Sequence, residues 1–294
     1  MVYYTSLNNY LKERFGGKVY KLSLTSSCSC PNRDGTKGTG GCIFCSEGSS
    51  AFRPPYDTPI SRQIDEAISL IKKKTDTDRY IAYFASYTAT YGDIDRIEKL
   101  FMGAANDPRI VAVSVATRPD CLGDEVMNLL ERVNEIKPVF VELGLQTASD
   151  ETAKLINRGS TLSEFTEAIE KLKKANIETV LHIILGLPTE TREKMLDTVR
   201  YAVKMGVQGV KLQLLHILKG TPLCEMYERG EVKVLERDEY ARLVAECLNL
   251  LPESMVVHRI TGDGEKAKLV APLWSADKKA TLGAIAKYAM PREF

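Results

Sequence analysis

Short apolar runs alternate with amphipathic stretches six times along this chain, and that alternation constrains the fold more than any other feature. The runs are KVYKLSLT (18–25), YIAYFAS (80–86), IVAVSVAT (110–117), VFVELGLQ (139–146), TVLHIILGL (179–187) and GVKLQLLHI (209–217). Between them lie stretches such as ISRQIDEAISLIKKK, GDIDRIEKLFMGAAN and TLSEFTEAIEKLKKAN, with apolar residues at helical spacing. Repeated βα units imply parallel strands joined by right-handed crossovers. A closed eight-unit barrel takes ~250 residues. Six units ending near residue 222 predict a partial (β/α)6, TIM-like α/β barrel over residues 1–222, opened by an N-terminal helix. Residues 223–294 break the alternation and read as a C-terminal extension or cap. A flat doubly wound sheet is the alternative.

Strands covered on both faces should be nearly all Val, Ile and Leu. These are not. With side chains alternating at period two, Ser114 and then Arg118 fall to one side of strand three, and Glu142 and Gln146 share a face of strand four. His182 shares a face with Ile184 and Gly186, and Lys211 one with Gln213. Four strands each carrying polar groups inward predict a polar lumen, because buried polar groups need partners. Chemistry in such barrels sits at the C-terminal ends of the strands.

Four of the seven cysteines fall in CSCPNRDGTKGTGGCIFC (28–45), directly after strand one. No apolar run approaches the ~20 residues needed to cross a bilayer, and the first residues lack the pattern of a secretory signal. A cytoplasmic protein without a membrane is expected. Thiols stay reduced there, and an odd count argues further against a disulfide framework. Two readings remain. Cys28, Cys30, Cys42 and Cys45 could hold a structural zinc, although one residue between Cys28 and Cys30 is short for a zinc half-site. Alternatively three of the four hold an iron–sulfur cluster, in a loop whose glycines allow close approach. Spacing leaves both open.

The strings CPNRDGT (30–36), GGCIFC (40–45), YFASYTAT (83–90), TRPDC (117–121), ELGLQT (142–147), INRG (156–159), GLP (186–188), HILKGT (216–221) and HRITGDG (258–264) cover almost the whole chain. Together they resemble the radical S-adenosylmethionine (SAM) superfamily in its Elongator-like branch. More narrowly, they resemble a bacterial family acting on the wobble uridine of tRNA. Ala85 and Ser86 depart from that family's usual Gln and Ala. The resemblance implies a [4Fe–4S] cluster on Cys30, Cys42 and Cys45, with Cys28 outside the ligand set. Three thiolates leave one iron open, where SAM binds and is cleaved to a 5′-deoxyadenosyl radical. It further implies that Phe44, Tyr83 and Ser86 contact SAM, that Glu142 and Gln146 face its methionine or ribose, that Arg158 meets its carboxylate, and that His182 contacts the ribose.

A second set at the rim, Arg118, Asp120, His216, Lys219, His258 and Arg259, reads as a substrate pocket in which Arg and Lys meet phosphate or carboxylate. Within it His216, Lys219, His258 and Arg259 are the catalytic candidates, and ITGDG (260–264) reads as a turn that could hinge a lid. The resemblance implies conversion of the carboxymethylaminomethyl group at C5 of the wobble uridine to aminomethyl. The partners it implies are a tRNA anticodon loop, an electron donor of flavodoxin or ferredoxin type, and a separate methyltransferase later in the sequence of reactions. Acetyl-CoA chemistry is not expected. A net charge of +1 gives no bulk drive toward nucleic acid. Affinity would need a local patch, expected at Arg118, Lys219, Arg259, Lys266, Lys268, Lys278 and Lys279. A small-molecule substrate and a zinc-stabilised nucleic-acid module are the alternatives.

Overall fold

The structure, a computed structural model, describes residues 4–46, 54–72, 76–262 and 264–289. Helix α1 (Leu7–Phe15) precedes β1 (Tyr20–Leu24), and α2 (Ile60–Ile71) leads to β2 (Tyr80–Phe84). Then follow α3 (Ile94–Asn106), β3 (Ile110–Thr117), α4 (Asp124–Ile136) and β4 (Val139–Gln146). The short α5 (Asp150–Leu155) and α6 (Leu162–Lys174) lead to β5 (Glu178–Leu185), and α7 (Arg192–Met205) to β6 (Gly209–Leu214). Helix starts follow local chemistry. Thr161 and Glu164 form a reciprocal capping box at α6, and α7 runs from the Thr191 cap to Gly206, in left-handed conformation at φ 60°.

The six strands pair in parallel in chain order, as the alternation predicts. The flat-sheet alternative fails on distance. Neighbouring strands lie about 4.8 Å apart, so β6 and β2 would be some 19 Å apart if flat, yet Lys211 Nζ donates to Tyr83 Oη at 3.0 Å. The sheet therefore curls into an open half-barrel. Its outward face packs Leu22, Phe84, Val115, Leu143, Ile183 and Leu212 against the helices.

A seventh parallel strand extends the six. After β7 (Ile217–Leu218), α8 (Pro222–Glu228) and α9 (Arg237–Leu250), β8 (Val256–Arg259) joins the open edge of β6. It comes from the stretch whose alternation had ceased. Four residues with no following βα pattern carry no sequence signal, and the strand is fixed instead by pairing and by Tyr240, whose hydroxyl donates to the carbonyl of Ile260 at 3.1 Å. β9 (Leu269–Ala271) pairs with β7 antiparallel, and α10 (Lys278–Tyr288) packs on α9. At the other end of the barrel, Leu11 of α1 packs with Ile81, Ala112 and Phe140, the lumen-facing residues nearest the strand starts. No described helix is long and apolar enough to cross a membrane.

Candidate functional site

One carboxylate organises the lumen. Glu142 is fully buried, and five side chains from five other strands reach it among the described residues. Lys21 of β1 donates at 2.6 Å, Tyr83 of β2 at 2.9 Å and Ser114 of β3 at 2.8 Å. His182 Nε2 of β5 lies 2.8 Å away, and Lys211 of β6 forms an ion pair with the same oxygen. Burial alone would raise the Glu142 carboxyl, but Lys21, Lys211 and His182 outweigh it and hold it well below the usual carboxylate range. His182 is lowered to about 4, by burial first and then by Lys211. It is therefore neutral near pH 7 and donates Nε2–H to the carboxylate. Of these residues only Lys21 lay outside the sequence reading. Its signal was present, since Lys21 and Ser23 alternate inward with Leu22 and Leu24 outward.

Two residues further along each strand, toward the C-terminal rim, the lumen face changes character. There stand Ser23, Ala85, Ala116 and Gly144, followed by Ile184 and Gln213, all at least partly exposed. Small side chains on the first four strands leave a cup open above a charged floor. The Gln146 amide folds across Gly144, where an added Cβ would lie 2.6 Å from Nε2. Gln146 itself adopts φ 59°, at an irregularity in the β4–β5 pairing.

The cysteine loop lies on the rim and is tied down on two sides. Asn32 Nδ2 donates to the Asn157 carbonyl at 2.6 Å, and Asn157 Nδ2 returns a bond to the Gly41 carbonyl at 2.8 Å. Ile43 N donates to the Ile156 carbonyl, and the Ile43 carbonyl accepts from Leu223 N, both at 3.0 Å. Phe44 packs beside Ile43 on the cluster formed by Ile156, Leu187, Leu215 and Leu223. Lys37 bridges Asp120 at 3.0 Å and Glu164 at 2.9 Å. Burial pushes the Cys42 thiol up to about 12, with Cys45 and Cys30 adding and Arg118 opposing. Cys45 is raised by burial, and Arg33 pulls against it. Cys28 stands apart. Its thiol lies 3.7 Å from the carbonyls of Ser26 and Ala89, the charge it feels is Arg96, and it lines a cavity of about 600 Å³ with Tyr91, Arg96, Asp120 and Cys121. Among the described residues, no three His, Cys, Asp or Glu side chains form a ready-made site for a single metal ion. Three half-buried thiols on one anchored loop at the strand ends suit a multi-iron cluster with an open position, and Cys30, Cys42 and Cys45 are the residues to hold it.

Several expected placements are corrected. Arg158, read as a partner for a carboxylate, is 1 % exposed and turned into the protein. Its guanidinium donates to the carbonyls of Leu145 and Thr147 at 2.6 Å and of Ser160 at 2.8 and 3.0 Å, so it clamps the end of β4. Ser86 is buried beyond the end of β2, whereas Tyr83 lies in the lumen network. The rim set is not one pocket. Arg118 grips Asp120 at 2.9 Å and the Arg158 carbonyl at 2.7 Å, against the cysteine loop. His216 lies against Gly262 and Gly264, where added Cβ atoms would come within 2.3 and 2.5 Å of its ring. Asp263 between them lies outside the described residues. Lys219 is exposed, its backbone N–H bonded to the Lys268 carbonyl at 2.8 Å. His258 is not at the rim. Its ring lies edge-on to Phe140 at 6.3 Å, toward the closed end of the barrel, because β8 turns Val257 outward and His258 in. Arg259 pairs in register with Lys211, beside the charged floor.

Comparison with known proteins accords with this arrangement. Residues 33–202 match the model of the Radical SAM superfamily, and residues 207–290 that of the Radical_SAM C-terminal domain. The chain is 42% identical to the uncharacterized protein YtqA of Bacillus subtilis over 97% of its own length and 88% of that protein's. It is 36% identical to protein YhcC of Escherichia coli K12, over 91% of this chain and 86% of the other. It is 28% identical to a tRNA uridine(34) acetyltransferase of Methanocaldococcus jannaschii, over 60% of this chain but 32% of that one. In structure it superimposes on an N-terminally shortened Elp3 of Methanocaldococcus infernus with a TM-score of 0.69 at 18% identity, covering 92% of this chain and 63% of the other. The chain belongs to the radical SAM superfamily, whose enzymes use a [4Fe–4S] cluster and S-adenosylmethionine.

Proposed function

We propose that this radical SAM enzyme converts the carboxymethylaminomethyl group at C5 of the tRNA wobble uridine to aminomethyl; loss of a hydrogen atom from the methylene beside the carboxylate, and of one further electron that would return to the cluster, would give an imine, and its hydrolysis would release the amine and glyoxylate. The observation that carries this reading is the match, over 60% of the chain, to proteins named for uridine 34 of tRNA. The motif strings from CPNRDGT to HRITGDG support it from the sequence side. When bound, the cluster and SAM supply a 5′-deoxyadenosyl radical able to take hydrogen from an unactivated carbon, which no side chain can do. The chain's own residues bind, orient and exclude water. Cys30, Cys42 and Cys45 hold the cluster, and the Asn32–Asn157 tie fixes their loop. Phe44 and Gln146 line the approach, with Tyr83 and His182 below as contacts for SAM. Anticodon-loop bases can be splayed from the stack, as a base must be to enter a barrel mouth. A flavodoxin- or ferredoxin-type donor supplies the electron in the cytoplasm, and a separate methyltransferase acts on the exposed amine.

The test is direct. Reduced enzyme and SAM are incubated with tRNA from a strain lacking the gene, and nucleosides are followed by mass spectrometry. Loss of the carboxymethyl mass from the wobble uridine is expected. SAM cleavage without any change in the nucleoside would move the assignment to a small-molecule substrate.

A further inference from the structure

The lumen leaves one requirement of radical chemistry unmet. The cluster has to be reduced before SAM is cleaved, and the lumen side of the cysteine loop is taken by SAM and substrate. An electron carrier must therefore reach the loop from its other side. The cavity of about 600 Å³ beside Cys28 lies there. It is lined by Ser29 and Pro31, the two neighbours of Cys30, and by Tyr56, Tyr91, Arg96 and Gly123. None of the side chains around Glu142 lines it. Its far wall is the first turns of α3 and α4, and α3 packs Phe101 on Phe84, on the outward face of the sheet. Tyr56 is 60% exposed, the one aromatic ring among the strongly exposed large apolar side chains of the described residues. The Arg96 guanidinium lies 3.8 Å from the centre of that ring and donates to the Tyr56 carbonyl, so the ring is held in place. Tyr and Arg are enriched at the anchor points of protein–protein contacts. Charge inside the cavity is largely cancelled. Lys37 pairs with Asp120, Asp93 caps α3, and Arg96 donates to the carbonyls of Ser26 and Tyr56. Such walls suit a planar, mostly uncharged group that stacks on tyrosine.

We propose that this cavity receives the flavin edge of a flavodoxin-type carrier, which passes one electron to the cluster through the Cys30 segment. In that step an anionic flavin hydroquinone becomes the neutral semiquinone, and no bond or proton moves. A ferredoxin holds its cluster beneath its own loops and has no planar edge to insert. Asp93 and Asp120 in the walls, with Asp57 beside Tyr56, disfavour a polyanion such as RNA. The port rests on the cluster reading and on the electron donor named above, and not on the tRNA substrate.

The experiment measures 5′-deoxyadenosine formation by cluster-loaded enzyme with SAM and no RNA, so that every cleavage draws its electron from the reductant. Three reductants are compared: flavodoxin with its NADPH-dependent reductase, ferredoxin with the same reductase, and dithionite. Binding of oxidised flavodoxin is measured separately by calorimetry. Tyr56→Ala removes the ring. Gly123→Trp adds bulk from the start of α4, at a backbone φ of −67° and with open space where its Cβ would go. Both variants should lower the flavodoxin-driven rate and the flavodoxin affinity at least tenfold. Iron content and the dithionite-driven rate should stay within twofold of wild type, and Tyr56→Phe should match wild type throughout. Undiminished flavodoxin binding and rate in Gly123→Trp overturns the proposal. Equal loss with dithionite also overturns it, because the cavity then shapes the cluster site. Reduction of wild type by ferredoxin but not by flavodoxin removes the flavin edge. Loss of tRNA binding with flavodoxin binding intact gives the cavity to RNA. If Gly123→Trp does not fold, Tyr56→Ala decides alone. The tRNA reading fails separately, since an unchanged nucleoside leaves all these rates as they are.

Discussion

The side-chain amide of Asn32 donates to the carbonyl oxygen of Asn157 at 2.6 Å, joining the loop that carries the cysteines to the loop between α5 and α6. Asn32 Oδ1 fills the other half of the junction. It lies 2.6 Å from where a Cβ would stand on Gly38, and equally close to one on Gly159. Gly159 also has φ 69°, a conformation that disfavours a side chain. Gly38 of DGTKGTGG and Gly159 of INRG thus make room for a polar tie between two loops.

Gly159→Ala should therefore loosen the cysteine loop. The left-handed backbone costs about 1 kcal/mol, and displacing Asn32 adds a lost buried hydrogen bond of roughly 1–3 kcal/mol. Gly230→Ala is the matched control, since Gly230 has φ 75° but open space where its Cβ would go. Urea unfolding and iron content after reconstitution should show loss of stability and iron in the first variant. The control should lose stability slightly and keep its iron. Equal iron in both would mean the tie does not shape the cluster site.

Cys28 provides the sharpest test of the ligand set. Its thiol faces the carbonyls of Ser26 and Ala89 and lines the cavity of Arg96 and Cys121. Cys28→Ser should keep nearly full iron and nearly full 5′-deoxyadenosine formation. Ser at Cys30, Cys42 or Cys45 should abolish both. Equal loss from all four substitutions would revive coordination by four thiolates.

The lumen network predicts acid sensitivity with a definite sign. His182 is held at about 4 in the folded protein against about 6.5 unfolded. As pH falls from 6.5 toward 4 the unfolded chain takes up a proton that the folded one does not, so stability falls through that window. The shift corresponds to a loss of up to about 3 kcal/mol. Glu142, whose folded pKa is depressed, acts in the same direction at lower pH, because its stabilisation is present above the unfolded carboxylate range and is lost as pH falls. His182→Gln retains a donor to Glu142 and has no proton to gain. Its unfolding midpoint should change less than that of wild type between pH 6.5 and 4.5. Parallel pH profiles for the two proteins would show that His182 does not titrate in this window.

The parts legible in the sequence were those set by local period. Six strands announced themselves by alternation, and Glu142, His182, Ser114 and Lys211 by polar residues recurring inward on them. The misplacements share one cause, tertiary direction. Arg158 looks like an exposed cation in INRG, but Asn157 at φ 52° and Gly159 turn the chain so that its guanidinium points at the β4 carbonyls. His258 sits in a motif near the end of the chain, yet a four-residue strand delivers it to the lumen beside Phe140. The Asn32–Asn157 tie joins residues 125 positions apart, which no local pattern encodes.

Binding of tRNA is the prediction with the widest reach. With a net charge of +1, any affinity for a polyanion must come from a patch. Lys219, Lys266 and Lys279 are exposed, and the bond from Lys219 N to the Lys268 carbonyl brings two of these stretches together beyond β7. Lys268 is already paired with Glu265 at 3.0 Å, so it contributes less. Each phosphate contact adds roughly 0.7–0.9 to the slope of log K against log salt. Substituting Gln for Lys219, Lys266 and Lys279 should lower that slope by about 2 for unmodified tRNA, while leaving SAM affinity and iron content unchanged. Filter binding at three salt concentrations measures it. A slope that stays the same in the triple variant places the tRNA elsewhere on the protein, and a wild-type slope near zero removes tRNA as the partner.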